Sequence, residues 1–509
     1  MTSRLPVFVA LVVLAAGHAA AQDARAVLRA ASTAIRADSV RTIQYSGTGF
    51  VAAVGQQFDV LNEDYPRFDV TQYTRTVDFG AMSSVEELTR RQGNNPPRGG
   101  GGTPLVGDQQ QVNVVRGSAA WNVQGTNVVP MPALADVRQL EIMMTPHGFL
   151  RAATAALPNV TVFRRRHLGR PVTIVSFTAL GKYRINGTIN EQNLVDSIQT
   201  WIPNPMLGDM LYEVRMTEYK DFGGLMYPSL LHFHQGNRFI VISDDAMEIR
   251  VTGVKANVEA TAPAVPDAVR TAVVAPARTE AQKLGEGVWL IAGGSHHSLA
   301  VEFADFITVV EAPLNEERSL AVIAEVGRLL PNKPIRYVVN THHHADHAGG
   351  LRTYVSEGAT IVTHLGNREY YEKVIFYPAP RTLQPDRLSA HPIPTVLVTP
   401  DVFETLTQKY VISDGKRSLD LYAMNGVNHS ANMLLAYLPA ERILVNADLY
   451  SPPAQGAQPP AMPTAGMTAL RNNLQRLRLE VSQHVPIHGR VGTHEEFLRL
   501  IEPAAGRTN

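Results

Sequence analysis

Residues Thr341–Gly350 read THHHADHAGG, four histidines and one aspartate in ten positions of a chain that has no cysteine. The run Ile335–Asn340 (IRYVVN) leads straight into it and reads as a buried strand. Imidazole is the commonest protein ligand for zinc and similar ions, and carboxylate neutralises part of their charge. His342 and His344 stand two apart on extended or turning backbone, so both rings can face one ion. Asp346 and His347 follow as the chain bends into Gly349 and Gly350, offset so that they serve a second ion beside the first. Without thiols, any metal site here is restricted to His, Asp, Glu and backbone ligands.

Four side chains do not complete two coordination shells, so the remaining ligands must arrive from farther along the chain. GVNHSANML offers His429 between two strand-like runs, RILVNADLY offers Asp448 after an apolar strand, and HVPIHGR offers His488 after another. Each sits where a loop leaves a strand, the usual place for chemistry on a rigid scaffold.

The ordered set His342-x-His344-x-Asp346-His347, then His429, Asp448 and His488, resembles the metallo-β-lactamase-fold hydrolase superfamily over residues 283–509. The resemblance implies an αβ/βα sandwich with a dinuclear site at one edge of its two sheets. It implies one metal held by His342, His344 and His429, a second by Asp346, His347 and His488, and Asp448 bridging them. Glu311 ends the strand Phe306–Glu311 where the family usually has an aspartate supporting the ligands. Members with a thiolate ligand are excluded. Two such cations share a water, lower its pKa from about 15.7 towards about 7, and direct the resulting bridging hydroxide at a carbonyl or phosphoryl centre. Asp346 is expected to orient that hydroxide as well as bind metal. Tyr450 is a candidate for stabilising an oxyanion, and His296, His297 and His364 are further candidates for supporting roles. The ligand set suits two divalent ions, Zn²⁺ first, with Fe or Mn also compatible.

Outside this half, a length of 509 residues calls for more than one domain. Apolar residues make up 45% and charged residues 18%, the composition of a globular protein, and the formal net charge is zero. No field is available to gather nucleic acid or an anionic membrane, so a small-molecule substrate is the expected partner. The N-terminus, MTSRLPVFVALVVLAAGHAAAQD, reads as a secretory signal peptide over residues 1–21, cut after Ala21. Its apolar run is shorter than the roughly 20 residues a spanning helix needs. A periplasmic or secreted protein without stable membrane insertion follows as the expectation.

The overall expectation is α+β, a mostly antiparallel β domain over 22–258, a linker over 259–282 and the hydrolase domain over 283–509. Asp23–Ala37 reads as a helix and Ile43–Val60 as a hairpin. Strand-like segments then follow at Val172–Ala179, Tyr183–Ile189, Val195–Ile202, Leu211–Tyr219, Met226–Phe233, Phe239–Ser243 and Ala246–Val254. A helix over Asp136–Ala156 is expected to break at Pro146. The stretch EYKDFGGLMYPSLLHFHQG resembles periplasmic lipoprotein-carrier-like β domains over a few strands. Gln92–Pro104 (QGNNPPRGGGGTP) reads as a mobile loop and Glu259–Arg278 as the joint between domains. The leading function is exported metal-dependent hydrolysis of an ester, lactone or amide-type bond. The alternative is an envelope ligand-binding protein in which the N-terminal β domain carries the main role beside an auxiliary metal-binding domain.

Overall fold

Alternation builds the N-terminal half. In the strand Arg67–Asp78, Phe68 and Val70 and then, after a bulge at 70–72 shifts the phase, Tyr73, Arg75 and Val77 are buried while their neighbours are partly or fully exposed, the period of a sheet with one covered face. The computed structural model describes residues 23–241, 244–259, 262–377, 379–392, 402–454 and 462–501, so residues 1–21, expected to be a signal peptide, lie outside it. Thirteen antiparallel strands between Thr42 and Ala256 form one sheet. The first six are laid outward from Thr42–Ala52 on one side. The last seven return inward from the other edge, until Asp245–Ala256 pairs with Thr42–Ala52, Ile43 opposite Ala256.

Two helices, Ala135–Met143 and Pro146–Ala155, occupy the chain between the sixth and seventh strands and pack on the apolar face. The break between them lies where Pro146 marks it. Pro146 takes the first helical position and the Thr145 hydroxyl accepts from the Gly148 N–H at 3.1 Å, a cap for donors that have no partner in the helix.

Several expectations are corrected here. Ile43–Val60 is not a hairpin: it is one strand, Thr42–Ala52, whose partner is Arg67–Asp78, with a long loop over 53–66 between them. The strands within 67–130 carry few contiguous apolar residues and were not read from the sequence. Residues 239–241 form a turn rather than a strand, and 242–243 lie outside the described residues. The joint at 259–282 contains a short helix, Asp267–Arg270, whose Val269 is buried with Val114 and Trp121, and the first strand after it, Glu280–Gly285, begins inside the expected linker.

The C-terminal half is a sandwich. Its first sheet has seven strands and its second six. In the first, Val309, Val338 and Ile361 stand in one cross-strand row and Val310, Val339 and Val362 in the next. The former row packs towards Val322 and Leu351 of the helices Glu316–Leu329 and Leu351–Ser356; the latter meets Leu421, Leu434 and Val485 of the second sheet. Continuously buried runs such as Ile307–Val310, apolar but for Thr308, follow from burial on both faces. The helices Ala465–Leu477 and His494–Ile501 contribute Leu470 and Phe497 to the core of the second sheet. Among the described residues, no helix is long and apolar enough to cross a membrane.

The halves are locked together at two places. The Arg381 guanidinium donates to the carbonyls of Asn204, Pro205 and Met206, and the Asp209 carboxylate accepts from Thr382 and Leu383. The second place is the site itself.

Candidate metal centre

All the sequence-derived ligands leave strand ends at one edge of the sandwich. Ile335–Val339 ends at Asn340, which donates to the His347 carbonyl at 3.2 Å and accepts from the Tyr371 hydroxyl. The chain then stays irregular through His344, which caps the one-turn helix Ala345–Ala348. Gly349 is required next, because a Cβ there would lie 2.0 Å from the Leu314 carbonyl oxygen. His429 comes from the loop between Ser418–Ala423 and Leu434–Leu438, Asp448 from the end of Ile443–Asn446, and His488 from the end of Gln483–Pro486. Glu311 and Asp448, both non-glycine, hold left-handed backbone at φ 76° and 59°, the local strain that functional sites accumulate.

The ligand atoms converge in two overlapping groups. His342, His344 and His429 form one and Asp346, His347 and His488 the other, with His296 joining the second. Asp448 stands between them, with Oδ2 2.9 Å from His347 Nε2, 3.2 Å from His429 Nε2 and 3.3 Å from His342 Nε2, while Oδ1 is 3.0 Å from His488 Nε2.

Hydrogen bonds on the far side of each ring decide which nitrogens face inward. His347 Nδ1 lies 2.6 Å from Glu311 Oε2, His488 Nδ1 3.1 Å from the Ser295 carbonyl, and His344 Nε2 2.9 Å from the Gln57 carbonyl. Those oxygens only accept, so each ring donates there and turns its other nitrogen to the centre. The inward Nε2 atoms of His347 and His488 are then 3.1 Å apart, and His344 Nδ1 is 3.0 Å from His342 Nε2. Two imidazole nitrogens that close, with the Asp448 carboxylate beside them, form a place for a cation, either protons or a metal ion. Two nitrogens at about 2.0–2.1 Å on a tetrahedral zinc stand about 3.3 Å apart. The buried Asp448 Oδ2, which has no hydrogen-bond partner, points into the same space. The donor set fits two divalent ions.

Electrostatics agree with this. Burial, together with repulsion from neighbouring imidazoles, holds His342 and His344 well below the usual histidine range. They are therefore neutral and ligand-competent. Burial alone would raise the Asp448 carboxyl, but His347 and His429 hold it well below the ordinary range. His347 is raised, against its burial, by Asp448 and Glu311. A proton and a metal ion therefore compete for the same place. Glu311, fully buried, also accepts from the Thr341 N–H at 2.7 Å, so the longer side chain in the aspartate position still reaches and orients His347.

The N-terminal half completes the surround. Gln56 Nε2 donates to Asp346 Oδ1 at 2.7 Å, the Gln57 carbonyl faces both His343 and His344, and the Ala431 N–H donates to the Phe58 carbonyl. The loop Gln92–Pro104, expected to be mobile, is docked here: Gly99 and Gly100 are buried, the Gly99 N–H donates to the Asn428 carbonyl at 2.8 Å, and a Cβ on Gly100 would come within 2.9 Å of His344. No motif marks Gln56 or Gln57. The one available signal was the density of glycines at 99–102, which here permit close approach.

Other candidates lie elsewhere. Tyr450 is corrected: its ring packs on Phe497 and His484 at 4.8 and 5.2 Å, and its hydroxyl is buried without a partner, so it makes no hydrogen bond to the ligand set. His297 tethers the His488 loop through the Gly489 carbonyl at 2.7 Å. His364 caps the turn beginning at Leu365 by accepting from the Gly366 N–H. His296 belongs at the centre, with Nε2 3.3 Å from Asp346 Oδ2.

Residues 308–480 match the sequence model of the Metallo-beta-lactamase superfamily. That stretch spans about a third of the chain, holds every expected ligand except His488, and places the C-terminal domain in a superfamily of metal-dependent hydrolases. No curated protein matches the chain. Among solved structures, the metallo-beta-lactamase from Pontibacter korlensis is 19% identical, covering 43% of this chain and 96% of its own, at a TM-score of 0.31. The FIM-1 metallo-beta-lactamase from Pseudomonas aeruginosa, in a mono-zinc form, is 19% identical with 43% and 92% covered and a TM-score of 0.31. The metallo-beta-lactamase from Hirschia baltica is 18% identical, with 44% and 96% covered and a TM-score of 0.31.

Proposed function

We propose that this chain is an exported hydrolase that uses two divalent ions, most simply zinc, to cleave an ester, lactone or amide-type bond in a small molecule. The observation that carries the reading is the pair of inward-facing Nε2 atoms of His347 and His488, 3.1 Å apart, with Asp448 beside both. When bound, two such ions supply a water of lowered pKa and a Lewis-acid surface for an acyl oxygen. His342, His344 and His429 would hold one; Asp346, His347 and His488 would hold the other; Asp448 would touch both.

The rest of the chemistry belongs to side chains. Burial works against ionising Asp346, but His296, His347 and Gln56 hold its carboxyl well below the usual range. It is thus an ionised acceptor at the open side of the centre, able to orient an attacking water by taking its hydrogen bond. Asp346, His488 and His429 are the most exposed of the ligands, at 34%, 29% and 20%, so a substrate approaches from their side, past Gln56. Export rests on the N-terminal leader sequence. A zero net charge supports a small neutral or weakly charged substrate over nucleic acid.

The test is a hydrolysis panel on the zinc-loaded mature chain, residues 22–509. It contains a cephalosporin, a homoserine lactone, an aryl ester and a bis-aryl phosphodiester, each run beside His342→Ala. Turnover of one acyl substrate that disappears in the variant supports the proposal. A chain that binds no metal sinks it.

One observation favours a ligand-binding role for the N-terminal domain as well. A cavity of about 530 Å³ lies between its helices and sheet, lined by Phe79, Met143, Ala152, Ala155 and Phe177, with Arg151 as its one cation. Binding of an apolar fluorophore that Ala152→Trp abolishes supports that role, and binding unchanged by the substitution removes it.

A further inference from the structure

A second constellation of ligand type lies in the other half of the molecule. His232 and His234 alternate with Leu231 and Phe233 along the strand Met226–Gly236, so the two apolar side chains enter the core while both imidazoles share the opposite face. Across the ladder, His234 is opposite Glu213 on one side and Asp245 on the other. A break in register at Phe233/His234 brings Asp245 alongside both rings. Asp245 Oδ1 is 3.2 Å from His232 Nε2 and 3.4 Å from His234 Nε2, and the ring centroids are 4.5 Å apart. The ligand atoms of His232, His234 and Asp245 all fall within 4.8 Å of one another.

Two further features separate this group from an ordinary ion-pair row. First, the other Asp245 oxygen, Oδ2, is taken by Arg67 at 2.8 Å, which leaves Oδ1 turned to the imidazoles. Second, His232 Nε2 is buried and makes no hydrogen bond although a carboxylate oxygen is 3.2 Å away, so that oxygen lies off its N–H line. An N···O separation of about 3.3 Å without hydrogen-bond alignment is the spacing of two ligands on one tetrahedral ion. Behind them, the Glu213 carboxylate, itself bonded to Gln199 and Arg215, lies 3.0 Å from His234 Nδ1, which like His232 Nε2 is buried and makes no hydrogen bond. Its negative charge adds to that of Asp245 in favouring a cation at the two rings.

The geometry points to a mononuclear site for a first-row divalent cation, bound by His232, His234 and Asp245 with the Glu213 carboxylate beside His234. Two imidazoles and one carboxylate suit Zn²⁺ and its neighbours rather than Ca²⁺ or Mg²⁺, which take oxygen ligands. The His232 and Asp245 side chains are each 29% exposed, so the group lies near the surface of the sheet. Arg67 also bonds Asp64 at 3.4 Å. The cation would therefore brace the root of the 53–66 loop that supplies Gln56 and Gln57 to the C-terminal centre.

The experiment uses the mature chain, stripped with a chelator and reloaded with Zn²⁺ alone, with zinc per folded chain measured by atomic emission. Three ions are expected in the wild type, two in His232→Ala and in Asp245→Asn, and one in His342→Ala/His347→Ala/His488→Ala, which breaks both C-terminal groups. A wild type holding two ions, both retained in His232→Ala, overturns this site and leaves the C-terminal reading intact. A wild type holding two, of which His232→Ala loses one, supports this site and reduces the C-terminal centre to a single ion. Should neither substitution in the sheet yield folded protein, the His342→Ala/His347→Ala/His488→Ala chain decides alone. Zinc must raise its urea midpoint, and an unchanged midpoint overturns the site.

Discussion

Two histidine pairs in this protein share a spacing, and their rings share a distance. The centroids of His342 and His344 are 4.5 Å apart, as are those of His232 and His234. The environments differ. The first pair sits on irregular backbone after a strand end, both rings fully buried, and presents Nε2 from one residue and Nδ1 from the other. The second lies within a strand, held on one face by the pleat, with interplanar angle 42° against 78° for the first. Loops can gather ligands from several strand ends, and five further ligands reach the first pair. A strand interior offers only its cross-strand neighbours, so the second meets one ligating carboxylate and one supporting one. Spacing sets the ring distance; the surrounding chain sets what the pair can hold.

The sharpest way to break the comparison is to remove the group that joins the C-terminal ligands. Asp448→Ala is expected to cut turnover by about 10³-fold or more and to lower zinc content at that centre. Retained activity and full metal content would show that the carboxylate is not shared.

His147, a histidine outside both pairs, shows what burial alone does to an imidazole. It is fully buried against the Ile35 carbonyl, and burial pushes its pKa from 6.5 down to about 4, the carbonyl opposing. The unfolded chain takes up its proton near pH 6.5 and the folded chain only near 4. The stabilisation is therefore complete above pH 6.5 and is lost as pH falls to about 4, by about 3 kcal/mol in all at 1.36 kcal/mol per unit. Urea unfolding of wild type and His147→Phe at pH 7 and pH 4 checks this: the variant should lose less on acidification by that amount, and equal losses refute it.

Glu311→Gln keeps the shape beside His347 and removes the charge. Zinc affinity at the C-terminal centre should fall about 10- to 100-fold, measured by competition with a chromogenic chelator. An unchanged affinity would mean that the glutamate only packs.

The smallest effect is expected at Gln56, which reaches Asp346 from the other domain. Gln56→Ala removes a hydrogen bond to a charged group and should lower kcat/KM roughly tenfold with zinc content unchanged. Loss of metal instead would make Gln56 part of the support of the ions rather than of Asp346.

The α+β class and the candidate ligands were legible from local signals, and the two-sheet C-terminal half from the resemblance. THHHADHAGG offers four candidate ligands by spacing, Asp448 and His488 each follow an apolar strand, and His429 lies between two strand-like runs. Glu311 was legible by position, though only the structure shows that its carboxylate spans from the Thr341 N–H to His347. Tyr450 was misread because proximity in sequence to Asp448 says nothing of direction: the side chain two residues on turns into the core of the second sheet. Gln56, Gln57 and the glycines at 99–100 were invisible as site residues, since they lie more than 240 positions from the residues they touch at the centre.

The sequence by itself therefore determined which side chains are available to a metal centre, because metal ligands must be particular side chains, and where many strands lie, because strands must alternate or run apolar to bury their faces. The tertiary structure alone decided how the first domain closes over the second, and that His232, His234 and Asp245 meet. Those outcomes depend on register and on long-range packing, and neither leaves a periodic trace in the chain.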